Sequence, residues 1–187
     1  MAERRRILLG VTGSIAAFKA AALVSELVRR GVEVKVVMTE AAVNFVGPLT
    51  FRSLSGNPVY RDMFAEQAAD AWDPGHLSLA RWADLVLVCP ATAGVIARVA
   101  AALADDLLSA IILATGRPVI FVPAMNTGMW RNPLLQRRVT ELKAAGYRIL
   151  GPASGRLACG DEGEGRMVEV AEIIDFLREN RYLPGGA

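Results

Sequence analysis

Histidine and cysteine are almost missing from this 187-residue chain: His76 is the only histidine, and Cys89 and Cys159 are the only cysteines. With no CxxC pair and no Cys/His cluster, the sequence offers neither a metal site nor a disulfide framework, and it fits a reducing, cytoplasmic setting. No apolar run approaches the roughly 18–20 residues that a membrane span needs. The opening MAERRRILLG carries a basic patch, but its apolar run is short and lacks a cleavage site, so no signal peptide is expected. A net charge of +2 leaves no basic footprint for nucleic acid. Internal repeats and linkers are missing too, and the length suits one domain over residues 1–187. What remains is apolar: 53% of residues are hydrophobic and mean hydropathy is +0.33, high for a soluble monomer. With no membrane span to absorb it, that surface is expected in a subunit interface, which implies an oligomer.

Continuous apolar runs alternate with helical patterns. RRILLGV, VEVKVVM (32–38), DLVLVCP (84–90), RPVIFVP (117–123) and YRILG read as strands. The stretch TGSIAAFKAAALVSELVRRG reads as a helix closed by Gly31, and TEAAVNFV as a turn and helix. Residues 93–115 read as helical with a break near Asp105, and NPLLQRRVTELKAAG as a helix with Asn132 as cap and Pro133 in its first turn. VEVAEIIDFLRENR closes the chain as a last helix. Unbroken apolar strands between helices imply a parallel sheet covered on both faces. The expected fold is a single three-layer α/β/α domain with a parallel Rossmann- or flavodoxin-like sheet.

In such sheets ligands bind outside the carboxyl ends of the strands. Those ends fall at 12–15, 39–44, 90–95, 123–131 and 151–167, where the unusual residues of the chain collect. Gly13 and Ser14 in GVTGSIAAF stand where free backbone N–H groups suit a phosphate, although the spacing is neither GxGxxG nor a P-loop. A tight turn with a serine cap explains them equally well, but similar turns at Thr39 and Thr92 favour a phosphorylated cofactor spanning neighbouring strand ends. Histidine changes charge near neutrality, so His76 is a candidate base, while a structural role is the commoner fate of a lone histidine. Arg81, five residues on, suits either a substrate phosphate or an ion pair. Asn126 in PAMNTGMWRNP offers a donor and an acceptor to a carboxylate, and Met125, Met129 and Trp130 suit a flat ligand or a subunit contact. Cys159 lies in the glycine-rich GPASGRLACGDEGEGRM, expected to be a flexible lid at 151–167, where a plain core residue is out of place. Cys89, inside an apolar strand, reads as packing.

Taken together, GVTGSIAAFK, HLSLARWADL, PATAGVIARVAAALADDLLS, PAMNTGMWRNP and GPASGRLACGDEGEGRM resemble the homo-oligomeric flavin-containing cysteine decarboxylases, over about residues 5–180. The last stretch is similar to the substrate lid of the branch that serves coenzyme A biosynthesis. The resemblance implies a bound FMN, its phosphate at Gly13, Ser14 and Ile15, with further contacts at Thr39, Thr92, Ala93, Ala124 and Met125. It implies 4'-phosphopantothenoylcysteine as substrate, met by Asn126, Ala158, Cys159 and Arg81, with 4'-phosphopantetheine as product. Oxidation of the CH2–SH group to a thioaldehyde would let CO2 leave an enethiolate, with His76 as base, Asn126 on the carboxylate and Cys159 returning a proton. It also implies a trimer or a dodecamer of trimers with sites shared between subunits. One departure is Gly94, where relatives usually read PA[ST]ANT and carry asparagine. Peptidyl-cysteine decarboxylases need no proton-donating lid cysteine, flavin prenyltransferases should lack PAMNTGMW, and phosphatase-regulating flavoproteins carry long acidic extensions. These alternatives fit the residues less well.

Overall fold

Six parallel strands form the centre of the computed structural model, which describes residues 4–64, 75–156, 160 and 162–183. They are β1 (Arg6–Val11), β2 (Glu33–Met38), β3 (Val59–Tyr60), β4 (Leu85–Ala91), β5 (Val119–Pro123) and β6 (Arg148–Ile149), arranged β3-β2-β1-β4-β5-β6. Every residue of β4 and β5 is buried, as expected where a strand is covered on both faces. Because successive strand side chains point to opposite faces, each strand feeds two cores. Ile7, Leu9, Leu85, Leu87, Ile120 and Val122 pack with helices α1 (Ala17–Arg29), α3 (Pro48–Ser55) and α9 (Val170–Glu179). Their neighbours Leu8, Val86, Val88, Val119 and Phe121 pack on the other face with α4 (Gly75–Trp82), α5 (Ala93–Ala100), α6 (Leu107–Ala114) and α8 (Pro133–Ala144).

The expected break near Asp105 is present and has a clear cause. Asp106 and Ser109 form a reciprocal capping box that starts α6, and Ala102 leaves α5 in the left-handed region at φ 54°. Arg98 holds the corner by pairing with Asp105 at 2.7 Å and Asp106 at 3.0 Å. Asn132 caps α8 by accepting from the Leu134 N–H at 2.9 Å, with Pro133 following it.

Several features differ from the sequence reading, which also leaves helices α3 and α4 unread. The two-residue edge strand β3 carries too short a pattern to be read. The first helix begins at Ala17 rather than at Thr12, and the residues before it form a separate turn. The region 151–167, read as a flexible loop, contains an antiparallel hairpin of β7 (Ala153–Arg156) and β8 (Glu162–Arg166).

The chain runs outward through β1, β2 and β3, then crosses back to place β4 beside β1 before continuing to β5 and β6. Strand order therefore reverses between β1 and β4, and a crevice opens at their carboxyl ends.

Candidate functional site

Thr12 ties the two strand ends at this reversal together. Its side chain is 1% exposed; the hydroxyl donates to the Pro90 carbonyl at 2.7 Å and accepts from the Thr92 N–H at 3.1 Å. The turn after β1 and the turn after β4 are thus held at a fixed separation. Thr39 joins from the other side, its N–H donating to the Val11 carbonyl at 3.0 Å. Sequence reasoning passed over Thr12, because nothing local signals a partner 78 residues away.

Gly13 follows, and its lack of a side chain has a steric reason. A Cβ there would lie 2.5 Å from the Ala41 Cβ, on the short helix α2 (Glu40–Val43). Ser14 folds the turn on itself, donating its N–H to the Thr12 carbonyl at 2.8 Å while its Oγ accepts from the Ala16 N–H at 3.3 Å. Thr92 accepts from the Val95 N–H at 3.5 Å as the N-cap of α5. Position 94 is open: a Cβ there would meet only the Thr92 Oγ1 at 3.9 Å, so Gly94 is not demanded by packing.

After β5, Asn126 starts the short helix α7 (Thr127–Trp130), its Oδ1 accepting from the Gly128 N–H at 2.7 Å. The hairpin lies directly on this loop. The Met125 N–H donates to the Gly165 carbonyl at 2.9 Å, and Arg131 pairs with Glu164 at 3.2 Å. Gly165 has φ +137°, and a Cβ there would come within 2.2 Å of the Met125 carbonyl oxygen. A Cβ at Gly163 would fall 2.4 Å from the Thr127 Oγ1. These glycines therefore serve close docking of β8 onto the Asn126 loop, where the sequence suggested flexibility alone.

Two adjoining cavities open over the strand ends and share Gly13, Thr92 and Met129 in their linings. The larger, about 960 Å3, is walled by Thr12, Thr39, Ala41, Gly94, Asp106 and Leu108 among others. The smaller, about 610 Å3, brings together Gly13, Ser14, Ile15, Thr92, Ala93, Ala124, Met125 and Asn126. All eight residues expected to meet FMN, together with Asn126, Met129 and Gly94, thus surround one pair of cavities, Thr39 and Gly94 from the larger side. Lys19, Arg156 and Arg166 complete the smaller wall. Lys19 and Arg166 share the Glu169 carboxylate, at 2.9 and 3.3 Å, and the Lys19 hydrogen bond holds Glu169 below the usual carboxylate range.

Two further expected residues, His76 and Arg81, lie elsewhere. His76, half-buried, is in the first turn of α4, and Arg81, exposed, is in its last turn; neither lines the two cavities. Ala158 and Cys159 lie outside the described residues. Cys89 is fully buried with its thiol 3.6 Å from the Met167 sulfur, and burial pushes it up to about 12, in keeping with a packing role. Among the described residues no group of three or more His, Cys, Asp or Glu side chains could hold a metal ion, and no helix is long and apolar enough to cross a membrane.

Two adjoining cavities at the reversal of a doubly wound sheet define the class of fold, and sequence comparison gives the family. A family model described as Flavoprotein matches residues 1–182, and the chain belongs to that family. More particularly, it is 50% identical over 180 residues to the coenzyme A biosynthesis bifunctional protein CoaBC of Vibrio cholerae, and 46% identical over 180 residues to CoaBC of Bacillus subtilis. Each alignment covers 96% of this chain and 44% of the relative, so the chain spans less than half the length of these proteins. Among solved structures, a PPC decarboxylase variant complexed with pantothenoylaminoethenethiol superposes with a TM-score of 0.85 at 31% identity, covering 96% of this chain and 99% of that one. The FMN binding protein AtHal3 gives 0.82 at 32% identity, with 95% and 97% covered. The FMN-dependent cysteine decarboxylase SpaF gives 0.75 at 34% identity, with 86% and 89% covered.

Proposed function

We propose that this chain binds FMN and decarboxylates 4'-phosphopantothenoylcysteine to 4'-phosphopantetheine, a carbon–carbon lyase step of coenzyme A biosynthesis in the cytoplasm. The observation that carries the reading is the docking of the β7–β8 hairpin onto the Asn126 loop, beside a cavity floored by the first turn. It joins, in one place, residues of GVTGSIAAFK, PAMNTGMWRNP and GPASGRLACGDEGEGRM, three of the five stretches that carry the family resemblance, the last of them similar to the lid of the coenzyme A branch.

The residues present fit FMN. Gly13 leaves its turn unobstructed, and the backbone N–H groups of Gly13 and Ile15, which bond no carbonyl in the turn as that of Ser14 does, suit a phosphate together with the hydroxyls of Ser14, Thr39 and Thr92. Ala93, Ala124 and Met125 offer apolar surface to a flat ring. When bound, FMN supplies a two-electron sink for the CH2–SH group and gives the electrons back after CO2 has left. The remaining work falls to the chain. Asn126 orients the substrate carboxylate without adding charge, His76 takes the proton from the thiol, and Cys159 delivers a proton to the carbon that lost CO2. Arg81 and Ala158 complete the substrate contacts, and 151–167 is the lid that keeps water from the intermediate.

His76 and Arg81 lie outside the cavities of one chain, which supports a homo-oligomer, a trimer or a dodecamer of trimers, with sites completed between subunits. Ile15, Phe18 and Phe45, between 47% and 60% exposed, surround the smaller cavity and give an apolar surface for that contact.

The test compares two substrates on the FMN-loaded protein. CO2 release from 4'-phosphopantothenoylcysteine, with little from a peptide ending in cysteine, is the expected result. A preference for the peptide would overturn the assignment.

A further inference from the structure

The walls of the two cavities differ in charge. The larger presents Glu40, Asp62, Asp105 and Asp106 against only Arg61 and Arg98. The ionisable residues of the smaller are all cations, Lys19, Arg156 and Arg166. Glu169 offsets one of the three by bridging Lys19 and Arg166. Arg156, exposed on β7, makes no ion pair among the described residues; its cross-strand neighbour Glu162 is not engaged with it. Arg166 also keeps its buried Nε without an acceptor, so its guanidinium is only partly used. The rim therefore carries an excess of about two positive charges. A phosphate monoester carries about −1.5 to −2 at neutral pH and is well matched to guanidinium donors.

We infer that the cationic rim of the smaller cavity, centred on Arg156 with Lys19 and Arg166 behind it, is a subsite for the terminal phosphate of the substrate. The inference rests on the proposed function and adds to it a basis for choosing phosphorylated over unphosphorylated substrate. The extended substrate has two anionic ends. Asn126 and Arg156 line the same cavity, and the inference assigns one end to each, while the FMN phosphate is assigned to the donors of the first turn.

The experiment measures kcat/KM of the FMN-loaded protein for 4'-phosphopantothenoylcysteine and for its dephosphorylated form, alongside FMN affinity by fluorescence titration. Wild type is expected to favour the phosphorylated form. Arg156→Ala is expected to lower that preference on the order of tenfold, the loss of one charge-assisted contact, and Arg156→Lys to retain much of it. FMN affinity is expected to change less than about twofold, because these cations are assigned to the substrate. Equal losses on both substrates would overturn the subsite. So would weaker FMN binding with the preference intact, which would assign the rim to the flavin phosphate. Equal use of both forms by wild type removes the subsite and leaves the decarboxylase reading standing, whereas turnover of neither removes both.

Discussion

Replacing Thr12 with valine isolates the contact that fixes the spacing of the first and fourth strand ends. Valine has nearly the same shape, so packing is conserved and only the hydroxyl is lost. The Thr92 N–H then lacks its acceptor at 3.1 Å and the Pro90 carbonyl its donor at 2.7 Å. Leaving a buried polar group unsatisfied costs about 1–3 kcal/mol, so two such groups, one of them only half-buried, should cost about 2–4 kcal/mol. For a domain of this size each kcal/mol moves Tm by roughly 2–4 °C, which places the expected fall at about 5–15 °C. Thr12→Ser keeps the hydroxyl and loses one buried methyl, a cost of about 1 kcal/mol. Calorimetry of the two variants decides the matter, with FMN titration as a second readout. FMN should bind more weakly to the valine variant at temperatures where it is still folded. Valine as stable as threonine, or serine as harmful as valine, would refute the reasoning.

Other consequences follow from the same geometry. Gly165→Ala would drive a Cβ to 2.2 Å from the Met125 carbonyl oxygen at φ +137°, so it should displace β8 and raise KM for the substrate at least several-fold while the sheet remains folded by circular dichroism. An unchanged KM would show that the docking seen here is not needed for turnover. At Asp84, burial pushes the carboxyl pKa up, but hydrogen bonds from Arg6 and the charges of Arg6 and Arg117 outweigh it and leave the pKa below the usual value. Its contribution is thus present above the unfolded value of about 3.9 and lost as pH falls through the lower folded value. Denaturant midpoints should drop as pH falls from about pH 5 to about pH 2, and drop less in Asp84→Asn; an equal drop would remove Asp84 from the acid response. Cys89, with its thiol pushed up to about 12 and no exposure, should resist thiolate-directed reagents in the native state and react after unfolding, as peptide mapping would show. Native labelling at the rate of a free thiol would contradict its place in the core.

Much of the fold is legible because a sheet covered on both faces needs unbroken apolar strands, and β4, β5 and most of β1 are written that way, while β2 is interrupted by Glu33 and Lys35. The carboxyl-end rule then locates the site without any structure: Gly13, Ser14, Thr39, Thr92 and Asn126 each follow a strand, and the parallel topology does the gathering. Contacts between distant segments stay hidden. Thr12 reads as one more small residue before a glycine until Pro90 and Thr92 are brought to it. Gly163 and Gly165 suggest a loose loop in sequence, and only the approach of β8 to Met125 and Thr127 shows that side chains are excluded there. The edge strand β3 is too short to show a period. His76 and Arg81 share a helix outside both cavities, a placement that their spacing in the chain does not indicate.

An internally closed redox cycle must end in a saturated thiol, and mass spectrometry of the product reads that end point. The purified, FMN-loaded protein is incubated with 4'-phosphopantothenoylcysteine and no pyridine nucleotide. Saturated 4'-phosphopantetheine is the expected product. An unsaturated decarboxylated thiol as the sole product, or unchanged substrate with FMN still bound, would contradict it.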